Sequence, residues 1–178
     1  MKIGFFGGSF NPPHLGHLLA ATYALKTFNL DEIWFAPVFH HPFGKQSIPF
    51  EHRLRMCELL VTELNPPFRV TDIEKDLAFD GKTYFTLQHL KKKYPEHVFS
   101  LVIGSDLEKQ VKTWNHYAEL EKEFAIYYVP RGEKDNPTSI PNISSTNIRD
   151  DVYDRQIIQN VVTPEIHNYM ERNKFYDK

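Results

Sequence analysis

The sequence predicts a doubly wound α/β fold with a mostly parallel sheet of about five strands, the first near the centre. Three observations carry that expectation. A short apolar run at residues 2–6 is followed by a Gly-rich turn and then by Leu15, Leu18, Leu19, Thr22 and Leu25 at helical spacing. A second apolar run at 33–36, reached after so short a crossover, makes a parallel, right-handed strand-helix-strand unit whose first turn lies at the carboxyl edge of the sheet, where open α/β folds bind ligands. Further apolar runs at 98–103 and 124–129 continue the series of strands.

At 178 residues the chain is long enough for one ordinary domain and too short for two, so residues 1–178 are read as a single domain. Lys and Arg total 21 against 23 Asp and Glu, a net charge of -2, which supplies no global basic field for nucleic acid. The only cysteine, Cys57, falls in an apolar helical run and reads as a buried free thiol, compatible with a reducing compartment. No charged-then-apolar leader and no run of membrane-spanning length is visible. The expectation is a cytoplasmic protein with no nucleic-acid or membrane partner, and a homo-oligomer is compatible with it.

The turn Gly7-Gly8-Ser9-Phe10-Asn11-Pro12-Pro13-His14-Leu15-Gly16-His17 joins the first strand to the first helix. Asn11 fits an N-cap and Pro12 or Pro13 a first helical residue, which would aim free N–H groups and the positive end of the helix dipole back over the turn. Such a helix start is an anion site. Gly7 and Gly8 present no Cβ to keep a phosphate from the backbone, and they permit the turn. His14 and His17, three apart, share one face beside that site. Imidazoles beside bound phosphates point to phosphoryl or nucleotidyl transfer; for a His-x-x-His pair alone, a metal site or simple capping are the alternatives.

Downstream, the loop at 39–47 carries Lys45, which either swings over an anion or stays solvated. Residues 49–64 form a helix with a broad apolar stripe, in which Arg53 and Arg55 read as surface or helix-packing residues. Pro66-Pro67 ends it and 68–71 is a third strand. The turn at 80–86 leads into a helix through Leu87, Leu90 and Tyr94, with Thr83 or Thr86 as cap. After the strand at 98–103, Asp106 either accepts ribose hydroxyls or caps the next helix. Trp114, near Asn115 and Tyr117, reads on its own as a core or loop-anchoring residue. Arg131 closes the strand at 124–129 and a polar loop over 133–141 follows. Ile143-Ser144-Ser145-Thr146-Asn147-Ile148-Arg149 places hydroxyls and a guanidinium at a helix start, suited to an anion or to capping alone. Thr163-Pro164 starts a closing helix.

Taken together these residues resemble the nucleotidyltransferase superfamily with its H-x-G-H motif, and within it the nicotinate or nicotinamide mononucleotide adenylyltransferases. The form G-G-S-F-N-P-P-H-x-G-H is closer to these than to the cytidylyltransferase or pantetheine-phosphate adenylyltransferase variants. The resemblance spans nearly the whole chain and is strongest at 7–17, 104–114 and 143–149. It implies a Rossmann-like sheet of nucleotidyltransferase type, and transfer of an adenylyl group from ATP to nicotinate or nicotinamide mononucleotide, giving the dinucleotide and pyrophosphate. It implies catalytic roles for His14, His17, Lys45 and Arg149. ATP would be held by Gly7, Gly8, Ser9, Phe10, Gly104, Asp106, Arg131, Ile143, Ser144, Ser145 and Thr146, and the mononucleotide by Thr83, Tyr84 and Trp114. The continuation Phe85-Thr86-Leu87 is about two residues shorter than the family's pyridine-pocket segment. Mg²⁺ is expected to arrive with ATP. Transfer to another phosphorylated acceptor, and nucleotide binding without turnover, are the alternatives.

Overall fold

Five parallel strands in the order β3-β2-β1-β4-β5 form the sheet, with the first strand at its centre as the sequence predicts. The structure, a computed structural model, describes residues 1–39, 47–64, 66–77, 82–133, 136–150 and 154–176. The strands are β1 (Lys2–Gly8), β2 (Glu32–Pro37), β3 (Phe68–Val70), β4 (Val98–Gly104) and β5 (Ala125–Val129). The helices are α1 (Leu15–Thr27), α2 (Phe50–Val61), α3 (Ile73–Asp76), α4 (Thr83–Lys93), α5 (Glu108–Val111), α6 (Tyr117–Glu123), α7 (Ser145–Arg149), α8 (Arg155–Val161) and α9 (Pro164–Asn173).

Both faces of the sheet are covered, which is why its strands read as continuous apolar runs. The two-residue side-chain period sends Ile33 and Phe35 to one layer, with Ala21 and Ala24 of α1, Met56 of α2 and Ile166 of α9. Trp34 and Ala36 go to the other, with Leu87 and Leu90 of α4 and Leu120 of α6. Phe5 pairs in register with Trp34 and with Leu101, so β1 is buried from both sides and its carboxyl end is fixed in the middle of one sheet edge. Cys57 is a buried free thiol whose pKa burial pushes well above the usual thiol range. Among the described residues, no helix is long and apolar enough to cross a membrane.

The sequence expectation fails at the start of α1. The helix begins at Leu15, with His14 rather than Asn11 as its N-cap, in extended backbone at φ -151° and ψ 170°. Asn11 cannot cap because its side-chain oxygen is already an acceptor for the Tyr176 hydroxyl at 2.6 Å and the Ile48 N–H at 3.4 Å. The turn itself is made elsewhere too. Gly7 and Gly8 belong to β1, and the left-handed residue is Phe10 at φ 46°, held there by a buried ring against Phe6 and Phe35. Helix α8, between the second signature and α9, has no counterpart in the sequence reading.

Candidate active site

His14 and His17 stack face to face at the carboxyl edge of β1, ring centroids 3.7 Å apart and planes 26° from parallel. Their spacing as N-cap and third helical residue brings them together. The His14 N–H donates to His17 Nδ1 at 3.2 Å, and the His14 carbonyl accepts the His17 N–H at 2.9 Å. An Nδ1 that accepts a hydrogen bond carries no proton, so neutral His17 holds its proton on Nε2. Phe10 closes the far side of the His17 ring at 4.9 Å. Burial, with Arg131 adding to it, lowers the His14 pKa to about 3; His17 is lowered well below its usual value by burial, then by His14 and Arg131. Both rings are therefore neutral at physiological pH.

Gly16 lies between these rings and the second signature. A Cβ there would stand 3.0 Å from His14 Nδ1 and 3.2 Å from the Ile143 Cβ, so glycine is what lets the two signatures meet. They meet through backbone carbonyls: Ser145 Oγ donates to the Pro12 carbonyl at 2.8 Å and Arg149 Nη1 to the Asn11 carbonyl at 2.7 Å. Arg149 Nη2 adds a contact to Thr146 Oγ1 at 3.1 Å. Ser144 is the N-cap of α7 without a side-chain cap bond, so the hydroxyls here do not serve capping. Arg131 reaches across from the end of β5, donating to the Ile143 carbonyl at 2.6 Å and lying 3.4 Å from the Asp106 carboxylate.

A cleft of about 880 Å³ runs along this edge, within the range of small-molecule sites. Gly7, Gly8, Ser9, Phe10, His14 and His17 line one part of it, and Asp106, Arg131, Ser144, Ser145, Thr146 and Arg149 line the facing part. Thr83, Tyr84 and Trp114 also line it. Gly104 and Ile143 are not among the lining residues: Gly104 caps the 3₁₀ turn Ser105–Leu107, where a Cβ would run into the Asp106 carboxylate, and Ile143 offers its carbonyl to Arg131. Lys45, with His40 and His41, lies outside the described residues.

On the Thr83 side, neither threonine caps α4. Lys82 is the N-cap without a side-chain cap bond, and Thr86 donates to the buried Glu74 carboxylate at 2.7 Å. Burial raises the Glu74 pKa, against the opposing pull of the Thr86 and Phe39 hydrogen bonds. The Tyr84 hydroxyl donates to Glu123 at 3.0 Å and accepts from Gln88 at 3.1 Å, while its ring stacks on His116 at 5.4 Å. Trp114 packs against the core layer of α4 and α6, and its buried Nε1 has no partner among the described residues.

The arginine reading splits. Arg55 is exposed and paired with Glu58 at 2.8 Å, as expected, but Arg53 is only 2% exposed. It donates to the carbonyls of Ile48 at 3.0 Å, Ser9 at 2.8 Å and Val38 at 2.8 Å, tying the first signature to the ends of β2 and α2. Its position on the spacing of buried Phe50, Met56, Cys57 and Leu60 is the signal that finds it. Glu74 and Tyr176 carry no comparable signal.

The comparisons with known proteins agree with this geometry. A family model described as Cytidylyltransferase-like matches residues 5–151. A protein of Anaeromyxobacter sp. (strain K) named "Probable nicotinate-nucleotide adenylyltransferase" is 38% identical over 181 residues, covering 98% of this chain and 96% of its own. One of the same name from Flavobacterium johnsoniae is 36% identical over 194 residues and matches end to end, 100% of each chain. Among solved structures, the Plasmodium falciparum nicotinic acid mononucleotide adenylyltransferase complexed with NaAD superposes with a TM-score of 0.83 at 22% identity, over 99% of this chain and 97% of that one, which shows the same fold.

Proposed function

The chain belongs to the cytidylyltransferase-like family, and from that premise we propose that it transfers the adenylyl group of ATP to the phosphate of nicotinate mononucleotide, or of its amide, in NAD biosynthesis. An oxygen of the mononucleotide phosphate attacks the α-phosphorus of ATP. The new P–O bond forms as the bond to the β-phosphate bridging oxygen breaks, and pyrophosphate leaves. A phosphate is already an adequate nucleophile at neutral pH, so the protein's part is positioning and charge compensation.

The observation that best supports this reading is the clamp. Two polar segments far apart in sequence are locked together through Ser145 and Arg149 around a stacked pair of neutral imidazoles. His17, with its proton on Nε2, is a hydrogen-bond donor to phosphate oxygens, and His14 is a second. Bound phosphate favours the protonated form of His14, while His17, whose Nδ1 accepts the His14 N–H, stays a neutral donor through Nε2. Arg149 and Arg131, with Lys45, neutralise the triphosphate; Ser144, Ser145 and Thr146 orient it, and the indole of Trp114 is the platform for the pyridine ring.

Mg²⁺ is proposed to come with ATP and to be held by its phosphates, where it would offset charge on the leaving pyrophosphate. The donors on this side of the cleft suit that arrangement: imidazoles, hydroxyls and guanidinium groups recognise phosphate oxygens, and the Asp106 carboxylate is engaged by Arg131. We place the activity in the cytoplasm. Pyrophosphate release is to be measured with nicotinate and nicotinamide mononucleotides side by side, with phosphopantetheine as a third acceptor. Dinucleotide from either pyridine mononucleotide supports the proposal; turnover with phosphopantetheine alone, or ATP binding without turnover, overturns it.

A further inference from the structure

The C-terminal end of the chain returns to the first signature by an uncommon backbone path. After α9, Lys174 ends the helix as a left-handed cap at φ 53°, and Tyr176 is left-handed again at φ 66°, a region that a bulky ring rarely adopts unless the surroundings enforce it. That path packs Tyr176 against the core and brings its hydroxyl onto Asn11 Oδ1, to which it donates at 2.6 Å. Phe175 packs edge-on against His52 of α2 at 4.7 Å, which anchors the segment before it reaches the loop.

Asn11 is where the supports of the clamp converge. Its backbone carbonyl receives Arg149, its neighbour Pro12 receives Ser145, and its side chain receives Tyr176 and the Ile48 N–H. Two residues before Asn11, the Ser9 carbonyl receives Arg53. Arg149 and Ser145 are thus oriented on carbonyls whose own position depends on what holds Asn11. Burial raises the Tyr176 pKa, so its phenol keeps the proton it donates.

We propose that Tyr176 is a positioning residue for adenylyl transfer: by holding the Asn11 side chain, it fixes the carbonyls on which Arg149 and Ser145 are aligned toward the triphosphate. The inference rests on the function proposed above. It predicts a phosphate-specific effect, because the Tyr176 hydroxyl bonds to Asn11, whose carbonyl holds Arg149, and Tyr176 does not itself line the cleft, whose acceptor wall is Thr83, Tyr84 and Trp114.

Tyr176→Phe keeps the ring and removes only the hydroxyl. Its affinity for a non-hydrolysable ATP analogue, measured by calorimetry, should fall about tenfold while AMP affinity and mononucleotide KM stay within about twofold, and kcat should fall about tenfold, the scale of one lost hydrogen bond. Asn11→Ala should show the same pattern, and the double variant should lose little more than either single one, as expected for residues acting through one contact. Unchanged analogue affinity and kcat in Tyr176→Phe would overturn the inference. So would a uniform loss of ATP, AMP and mononucleotide binding, the mark of general destabilisation. If the wild-type protein makes no dinucleotide, the activity reading falls, and the contrast between ATP analogue and AMP still decides the role of Tyr176.

Discussion

The proposed phosphate clamp and the proposed acceptor wall of Thr83, Tyr84 and Trp114 are built to different standards, although they line one cleft. In the clamp, side chains grip backbone: Arg53, Ser145 and Arg149 all donate to carbonyls of residues 9–12, and the His17 ring packs against Phe6 and Phe10. In the wall, side chains grip side chains near solvent, as in the contacts of Tyr84 with Glu123 and Gln88. A backbone carbonyl cannot change rotamer, so the clamp is rigid and its residue types are prescribed. The wall can be rebuilt by changing a few exposed groups. Under the proposed roles, reaction type is held by the part with least freedom and acceptor choice by the part with most.

The sharpest way to break the comparison is at the centre of the clamp. His17→Ala removes the oriented Nε2 donor and should reduce kcat by about 10²–10³, as for other preorganised donors to developing charge. Pyrophosphate release at saturating substrates measures it; near-wild-type turnover would end the catalytic assignment.

The next effect is on stability. Arg53→Met keeps the length of the side chain, removes a buried charge and strips donors from three partly buried carbonyls, which should cost about 3 kcal/mol, read as a lower urea midpoint. Arg55→Met, two residues away and exposed, should shift the midpoint by less than about 0.5 kcal/mol. Equal effects would show that burial of Arg53 contributes nothing to rigidity.

These two arginines also show how far the sequence could be read. The fold was legible because strand and helix periods alternate cleanly, and burial of both sheet faces makes the apolar runs unbroken. The clamp was legible as two dense signatures. Arg53 was hidden by a conflict: its charge argues for the surface and its spacing for the interior. Spacing prevails because unsatisfied carbonyls wait there, and a lone sequence does not show them. Asn11 was misassigned for a related reason. Local sequence makes it a good helix cap, but Tyr176, more than a hundred residues later, claims its oxygen. Long-range hydrogen bonds leave no local pattern.

A third prediction follows from the depressed imidazole pKa values. Between its unfolded pKa of 6.5 and its folded value of about 3, His14 is protonated only in the unfolded chain. Unfolded protein then binds more protons, and stability falls as pH drops through that window, by about 1.4 kcal/mol per pH unit for each such histidine. His17 adds in the same direction. The urea midpoint should therefore decline from pH 7 to pH 5 in the wild type and decline less steeply in His14→Gln. ATP should reduce the slope, because its phosphates stabilise the imidazolium form of His14. An identical slope in the variant would place the acid sensitivity elsewhere.

The smallest effects belong to the wall, and there the two aromatic residues should part. Trp114→Ala removes a stacking surface and should raise the mononucleotide KM about tenfold with ATP affinity unchanged. Tyr84→Phe removes a hydroxyl whose bonds all point to Glu123 and Gln88 and keeps the ring that stacks on His116. The bond to Glu123 is exposed and that from Gln88 only part-buried, so water can replace both, and the KM should move less than about threefold. A large loss in Tyr84→Phe, with Trp114→Ala mild, would invert this order. It would mean that the outward network from Tyr84 to Glu123 sets the depth of the acceptor pocket, and that the wall is as prescribed as the clamp.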